Sequence, residues 1–358
     1  MQSTSLEPRR RIDPDPAQTD APETVFDRMR RPLRDLRISV TDRCNFRCSY
    51  CMPAEIYGER YEFLPRAEIL SYEEIARLAT IFARLGARKI RVTGGEPLVR
   101  EGLERLIAQV SGIPGIEDVA LTTNGYLLAP KAQALKDAGL DRVTVSLDSL
   151  DDEVFGKMNG RGFGVARILE GLEAASQAGL RPVKVDAVVH KGVNDHTIVD
   201  LARHFKGSGN IVRFIEFMDV GSLNGWRMDQ VVPSAEVVRL IDAEFGLEPV
   251  DHNYFGEVAD RYRYRDGSGE IGVISSVTQP FCSTCTRARL SPQGQLYTCL
   301  FGAEGQDLRA PLRDGASDEE IERIVAGTWR DRTDRYSEIR ASLTEPVGGK
   351  IEMFRIGG

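Results

Sequence analysis

Leu36-Arg37-Ile38-Ser39-Val40-Thr41 and, further along, Val143-Thr144-Val145-Ser146-Leu147-Asp148 decide the fold of this chain. A β-strand turns successive side chains to opposite faces, so each stretch has one apolar face and one polar face. A strand covered by helices on both sides would be apolar almost throughout. These strands therefore line something polar, and the expected sheet is a curled one, a partial barrel with an occupied interior.

Outward from those stretches, β-branched runs recur at 35–40, 88–93, 118–122, 142–147, 183–189 and 211–217. Amphipathic stretches at 72–85, 102–110, 131–138, 165–178 and 197–205 separate them, most stopped by a glycine such as Gly86, Gly139 or Gly179. Strand then helix, repeated, makes a parallel sheet. The expected fold class is α/β, a partial (β/α)6 barrel of the TIM type over 34–245. Beyond it, 261–265 and 270–275 flank Asp266-Gly267-Ser268-Gly269 as a β-hairpin, and 318–342 reads as a charged helix. Residues 246–358 are expected to form an α+β extension against the barrel mouth. Residues 1–33 carry Pro8, Pro14, Pro16, Pro22 and Arg9-Arg10-Arg11 with no apolar period, and read as a disordered or loosely ordered arm.

The 358 residues suffice for a large core, while six cysteines are too sparse for a disulfide scaffold. No charged segment followed by an apolar one opens the chain, so a reduced, cytoplasmic setting is expected. The net charge of -7 argues against broad nucleic-acid binding, and no apolar run approaches the ~20 residues of a membrane span.

All six cysteines fall in two triplets: Cys44, Cys48 and Cys51 as C-x3-C-x2-C, and Cys282, Cys285 and Cys299 as C-x2-C-x13-C. Each is one thiolate short of a closed zinc or iron–sulfur site, and so suits a cluster with one iron left for another ligand. The first triplet lies in the loop leaving the first strand, at the end where barrel active sites are built. A zinc knuckle would need a histidine, and none of His190, His196, His204 and His252 is near a cysteine in the sequence. Thr93-Gly94-Gly95-Glu96-Pro97 follows the second strand; alone it is only a tight turn. Arg37, Arg91 and Lys184 alternate with apolar neighbours toward the polar strand face, and Arg287 and Arg289 follow Cys285. Guanidiniums beside a metal suit an anion such as phosphate.

The first triplet, with Tyr50 before its last cysteine and Gly94-Gly95-Glu96-Pro97 one βα unit later, resembles the radical S-adenosylmethionine superfamily. With the second triplet, the likeness runs from about residue 34 to Gly358 and is to the GTP 3',8-cyclase family of molybdenum cofactor biosynthesis. That resemblance implies two 4Fe4S clusters, one on Cys44, Cys48 and Cys51 and one on Cys282, Cys285 and Cys299. It implies S-adenosylmethionine at the first cluster, bound by Tyr50, Gly95, Ser146 and Met218. It implies GTP with its guanine on the open iron of the second, bound by Arg37, Arg91, Thr122, Lys184, Arg287, Ala288 and Arg289. Without the family, Ser146 satisfies a turn and Met218 fills a core gap. Thr122 is preferred to Thr123 because it shares a strand face with Asn124 and keeps the family's spacing to Ser146. The tail Gly357-Gly358 is implied to assist radical initiation; in isolation a terminal diglycine also fits a conjugation tail.

The implied reaction abstracts the ribose 3' hydrogen with a 5'-deoxyadenosyl radical, joins C3' to guanine C8, and yields 3',8-cyclo-7,8-dihydro-GTP. Because the triphosphate is not cleaved, the lack of a GxxxxGK phosphate loop agrees with it. An electron donor, product hand-over to a cyclic pyranopterin monophosphate synthase and a homodimer are also implied. The rivals are a radical enzyme acting on a peptide, whose extensions usually carry more cysteines, and a zinc-stabilised binding module.

Overall fold

The computed structural model describes residues 24–340 and 349–357. Six strands follow one another in space as in sequence: β1 (Asp35–Ser39), β2 (Lys89–Thr93), β3 (Asp118–Thr123), β4 (Arg142–Ser146), β5 (Lys184–Val189) and β6 (Ile211–Glu216). All are parallel to their neighbours. The remaining strands are β7 (Leu247–Val250), β8 (Asp260–Tyr264), β9 (Glu270–Ile274), β10 (Arg287–Leu290), β11 (Gln295–Tyr297) and β12 (Gln306–Asp307). The C-terminal region lengthens the barrel sheet at both edges, β10 running parallel to β1 and β9 parallel to β6. The expected hairpin is β8–β9, with Gly267 at a left-handed φ of 75° in its turn.

The alternation predicted from the sequence is the physical division of the sheet. Leu36, Ile38, Ile90, Val92, Val143 and Val145 are buried in one apolar core, while Arg37, Arg91, Thr122, Asp186 and Arg213 line a cavity on the opposite face. Helices Tyr72–Arg84 and Leu103–Ser111 bury Ile75, Leu78, Phe82, Leu106 and Ile107 in that core. Ser71 and Glu74 start the first of them with a reciprocal capping box, as Ser317 and Glu320 do for Asp318–Arg330. Among the described residues, no helix is long and apolar enough to cross a membrane.

Three expectations change. The arm is anchored well before residue 34: Val25 and Leu33 are buried in the core, and Asp27 and Arg31 form a buried ion pair. The expected looseness therefore fails for 24–33, and residues 1–23 lie outside the described residues. The expected helix over 318–342 is broken after Arg330 and resumes only as Tyr336–Ile339, because Arg332 and Asp334 turn inward to bond the second cysteine loop and Arg31. Residues 341 and 342 lie outside the described residues. Helices Asp152–Asn159 and Ser234–Phe245, and the short Arg309–Arg313 and Met353–Ile356, lie outside the sequence expectation altogether.

Candidate active site

Thr93-Gly94-Gly95-Glu96 packs directly on the loop that carries the first triplet. The Gly95 and Glu96 amides donate to the Thr41 and Arg43 carbonyls, both at 2.8 Å. A Cβ on Gly95 would lie 2.4 Å from the Arg43 oxygen, so the glycine is needed to hold two backbones together. Glu96 is buried and accepts from Thr123 Oγ1, the Asn124 amide and the Leu98 amide. Asn124 Nδ2 in turn donates to Asn45 Oδ1 at 2.8 Å and lies 3.9 Å from Cys44 Sγ, which also accepts from the Phe46 amide at 3.3 Å. Tyr50 reaches across the barrel mouth, its hydroxyl donating to Asp148 at 2.9 Å. Ser146 ends β4 beside Asp186 of β5.

Burial and then Glu96 push the Cys44 thiol up to about 12; burial and then Asp148 raise that of Cys48 well above its usual range. Cys51 is raised by burial, by Cys44 and by Glu352. Thiols so placed are poor anions alone and good ligands for a cationic centre. Among the described residues, no group of three or more His, Cys, Asp or Glu is arranged to hold a single metal ion. A cluster takes each thiolate on a different iron, which the two triplets and their N–H donors to sulfur suit.

The barrel interior holds a cavity that reaches from Arg91 and Thr122 to all three cysteines of the second triplet. Among the described residues, Arg31, Arg37, Arg91, Arg213, Arg287, Arg289 and Arg332 line it against two carboxylates, Asp186 and Asp334. Asp186 is taken by Arg213 in a bidentate pair at 2.7 and 2.8 Å. Burial, then Arg289, Arg91 and Arg287, push the Arg37 guanidinium well below its usual range, and burial with Arg287 pushes Arg289 down to about 10. Buried cations that repel one another to this degree call for an anionic ligand.

Thr122 accepts from Arg91 Nη1 at 2.9 Å and faces this cavity, whereas Thr123 faces Glu96. Met218 also lines the cavity. Ala288 does not: between Arg287 and Arg289 its side chain points into the core, leaving only backbone for a ligand. Lys184 lines a second recess, with Lys89 and Arg142. Burial, Arg213, Arg142 and Arg91 lower its amine to about 7, so it belongs to the same field of positive charge.

Comparison with known proteins bears on both halves. The radical SAM superfamily matches residues 38–205, and Molybdenum Cofactor Synthesis C matches 210–338. A GTP 3',8-cyclase of Acidothermus cellulolyticus is 49% identical over 364 residues, covering 94% of this chain and 99% of that protein. One from Staphylococcus aureus is 49% identical over 339 residues with the same coverage. The chain belongs to the GTP 3',8-cyclase family. Among solved structures, SuiB of Streptococcus suis bound to S-adenosylmethionine superposes with a TM-score of 0.60 at 14% identity, over 88% of this chain and 70% of that one, a likeness of fold.

In this cyclase the tail joins the two halves. Met353–Ile356 forms a short helix whose Phe354 is buried against Met52 and Tyr57 of the first cysteine loop. Glu352 accepts from the Ser222 amide at 2.9 Å, and Lys350 donates to Asp219 at 2.8 Å and to the Tyr336 hydroxyl at 2.7 Å. Gly357 follows at a left-handed φ of 68°, its carbonyl accepting from Arg289. A Cβ there would lie 2.1 Å from Thr93 Cγ2, so Gly357 fits between the Gly-Gly turn of one half and an arginine of the other. Gly358 lies outside the described residues. Arg31, Arg213, Asp186 and Arg332 line the cavity and Arg142 the recess beside Lys184, and none of them was expected from the sequence. For Arg213 the signal was present, since it alternates with Val212 and Phe214 as Arg37 does with its neighbours.

Proposed function

We propose that this chain converts GTP to its 3',8-cyclised product in molybdenum cofactor biosynthesis, with S-adenosylmethionine at Cys44, Cys48 and Cys51 and the purine of GTP at a second 4Fe4S cluster on Cys282, Cys285 and Cys299. When bound, the first cluster and S-adenosylmethionine would supply a 5'-deoxyadenosyl radical able to take the ribose 3' hydrogen; bonding of C3' to guanine C8 would then need one electron, ultimately from the external donor, and a proton to give the 7,8-dihydro product. The observation that carries the substrate is the arginine-lined cavity running to the second triplet. Arg37, Arg91, Thr122, Lys184, Arg287 and Arg289 hold the nucleotide, with Arg213 and the Ala288 backbone beside them. Tyr50, Gly95, Ser146 and Met218 hold S-adenosylmethionine.

Enclosure serves the chemistry, because a primary radical attacks whatever lies nearest and an enclosed site keeps other hydrogen donors away. Gly357 closes the seam between the two halves, where Arg289 fixes its carbonyl. An external electron donor, a homodimeric state, product hand-over to a synthase and a cytoplasmic setting complete this reading.

Anaerobically reconstituted protein given GTP, S-adenosylmethionine and a reductant should hold about eight irons, two clusters of four, and form the cyclised nucleotide with one 5'-deoxyadenosine for each product. Release of 5'-deoxyadenosine without that nucleotide, from protein holding both clusters, would refute the substrate.

A further inference from the structure

Beside the second triplet stand two arginines that the nucleotide reading leaves without a task, Arg31 and Arg332. Each side chain is only 1% exposed, and both pair with one carboxylate, Asp27, at 2.5 and 3.5 Å. One buried carboxylate does not neutralise two guanidiniums, and the other acid that Arg332 reaches, Asp334, is 33% exposed. Burying such surplus charge is costly unless something anionic faces it.

The donors of both side chains are directed at the cysteine loop. Arg332 Nη2 donates to Cys285 Sγ at 3.1 Å while Nη1 holds the Cys285 carbonyl at 2.7 Å. Arg31 Nη1 donates to the Cys282 and Asp334 carbonyls, each at 2.8 Å. Its Nη2 is buried with no hydrogen-bond partner among the described residues, although the side chain lines the cavity that holds all three cysteines. A buried charged donor without an acceptor calls for one, and a ligand atom in the cavity it lines would supply it. The Arg31 side chain is held in place by Nε donating to Asp27 at 2.5 Å and Nη1 to the Cys282 and Asp334 carbonyls, on a backbone fixed by the Trp329 indole at 3.1 Å and by Asp27 at 2.9 Å.

We propose that Arg31 and Arg332, braced by Asp27, are positioning residues for a cluster on Cys282, Cys285 and Cys299. Arg332 donates to the Cys285 thiolate, Arg31 Nη2 donates to a sulfur of the cluster, and the pair favours the cluster's reduced state. This rests on reading the second triplet as a cluster site. Three thiolates leave a 4Fe4S cluster with net negative charge, and an added electron increases it. Two buried cations within hydrogen-bond reach therefore stabilise the reduced form and raise the potential.

The test uses the full chain with Cys44, Cys48 and Cys51 all changed to alanine, reconstituted anaerobically so that only the second site holds iron. Iron per chain, the midpoint potential from an electron paramagnetic resonance titration, and the rate of iron loss to a chelator are measured. About four irons support the underlying reading; near zero iron overturns that reading, and the inference with it. With the cluster present, Arg332→Met and Arg31→Met should each move the midpoint to more negative potential and release iron about 10-fold faster. Arg332→Lys keeps the buried charge, guarding against a misfolded variant, and should restore most of the midpoint but not the slow release. Unchanged midpoint and iron release in both methionine variants would overturn the proposal, as would a midpoint shifted to more positive potential.

Discussion

The two cysteine triplets have the same number of thiolates and differ in their electrical surroundings at one thiol, Cys285. Around the first stand carboxylates, Glu96 near Cys44, Asp148 near Cys48 and Glu352 near Cys51, and all three thiols are raised. The second shares its cavity with seven arginines: burial still raises Cys282, and burial with Asp334 raises Cys299 to about 12, but Cys285 goes the other way, since Arg287 and Arg332 outweigh its burial and hold its thiol at about 6. The difference matches the proposed ligands. S-adenosylmethionine brings a sulfonium cation to the acidic side, and a nucleoside triphosphate brings its negative charge to the basic side. The chain order of the sheet supplies this separation, since the first triplet follows the end of β1 while Cys282 and Cys285 precede the start of β10, its parallel neighbour.

The harshest way to break the comparison is to remove one thiolate from each side. Cys48→Ser is expected to abolish both 5'-deoxyadenosine and cyclised nucleotide. Cys285→Ser should abolish only the nucleotide product, leaving about four irons and uncoupled cleavage of S-adenosylmethionine. Chromatography of both products with an iron count decides it. Full turnover in Cys285→Ser would make the second triplet a structural feature.

A gentler probe reads the surroundings directly. In protein stripped of iron, the lowered Cys285 thiol is largely thiolate above about pH 6 and loses reactivity as the pH falls through that value. Cys44, at about 12, stays protonated across the neutral range. A less basic thiolate is intrinsically slower, which offsets part of the gain, so at pH 7 Cys285 should alkylate on the order of 100-fold faster than Cys44. Mass spectrometry of the labelled peptides between pH 5 and 9, a range bracketing the ordinary neutral region, checks this. Equal rates would erase the contrast.

Much of this arrangement is legible from period and spacing, and what is not has a physical reason. Alternation alone separates Arg37 and Arg91 from the core residues beside them, because one barrel face must be apolar to hold helices. The helix Ser234–Phe245 left its trace in Val237 and Ile241, one turn apart and both buried. Asp152–Asn159 is obscured by Gly156, a residue that disfavours helix and is placed there by close packing against Gly162. Arg31 and Arg332 have no local signature at all. Arg31 meets the Cys282 carbonyl across 251 residues of sequence, and the break that frees Arg332 from the helix before it has no proline or glycine to announce it. Lys184 looked equivalent to Arg91 by alternation, but its place near the start of β5 puts it in the adjoining recess.

The finest version of the comparison lies within β3, where two adjacent threonines face the two halves. Thr122 accepts from Arg91 on the nucleotide side, and Thr123 donates to Glu96 at 2.7 Å on the side of the first cysteine loop. Thr122→Ala removes one of two hydroxyls that hold Arg91, the other being Thr144 at 3.1 Å, so the guanidinium stays charged but less well aimed. At about 1 kcal/mol for such a bond, the KM for GTP should rise about fivefold, with the KM for S-adenosylmethionine unchanged. Thr123→Ala takes a donor from a buried carboxylate, and should cost about 1–3 kcal/mol of stability while changing the KM for S-adenosylmethionine before that for GTP. Steady-state kinetics with each substrate varied in turn, alongside thermal melts, separates the two. If Thr122→Ala weakened both substrates alike, the two faces of the strand would not be independent, and the electrical division between the triplets would lose its structural basis.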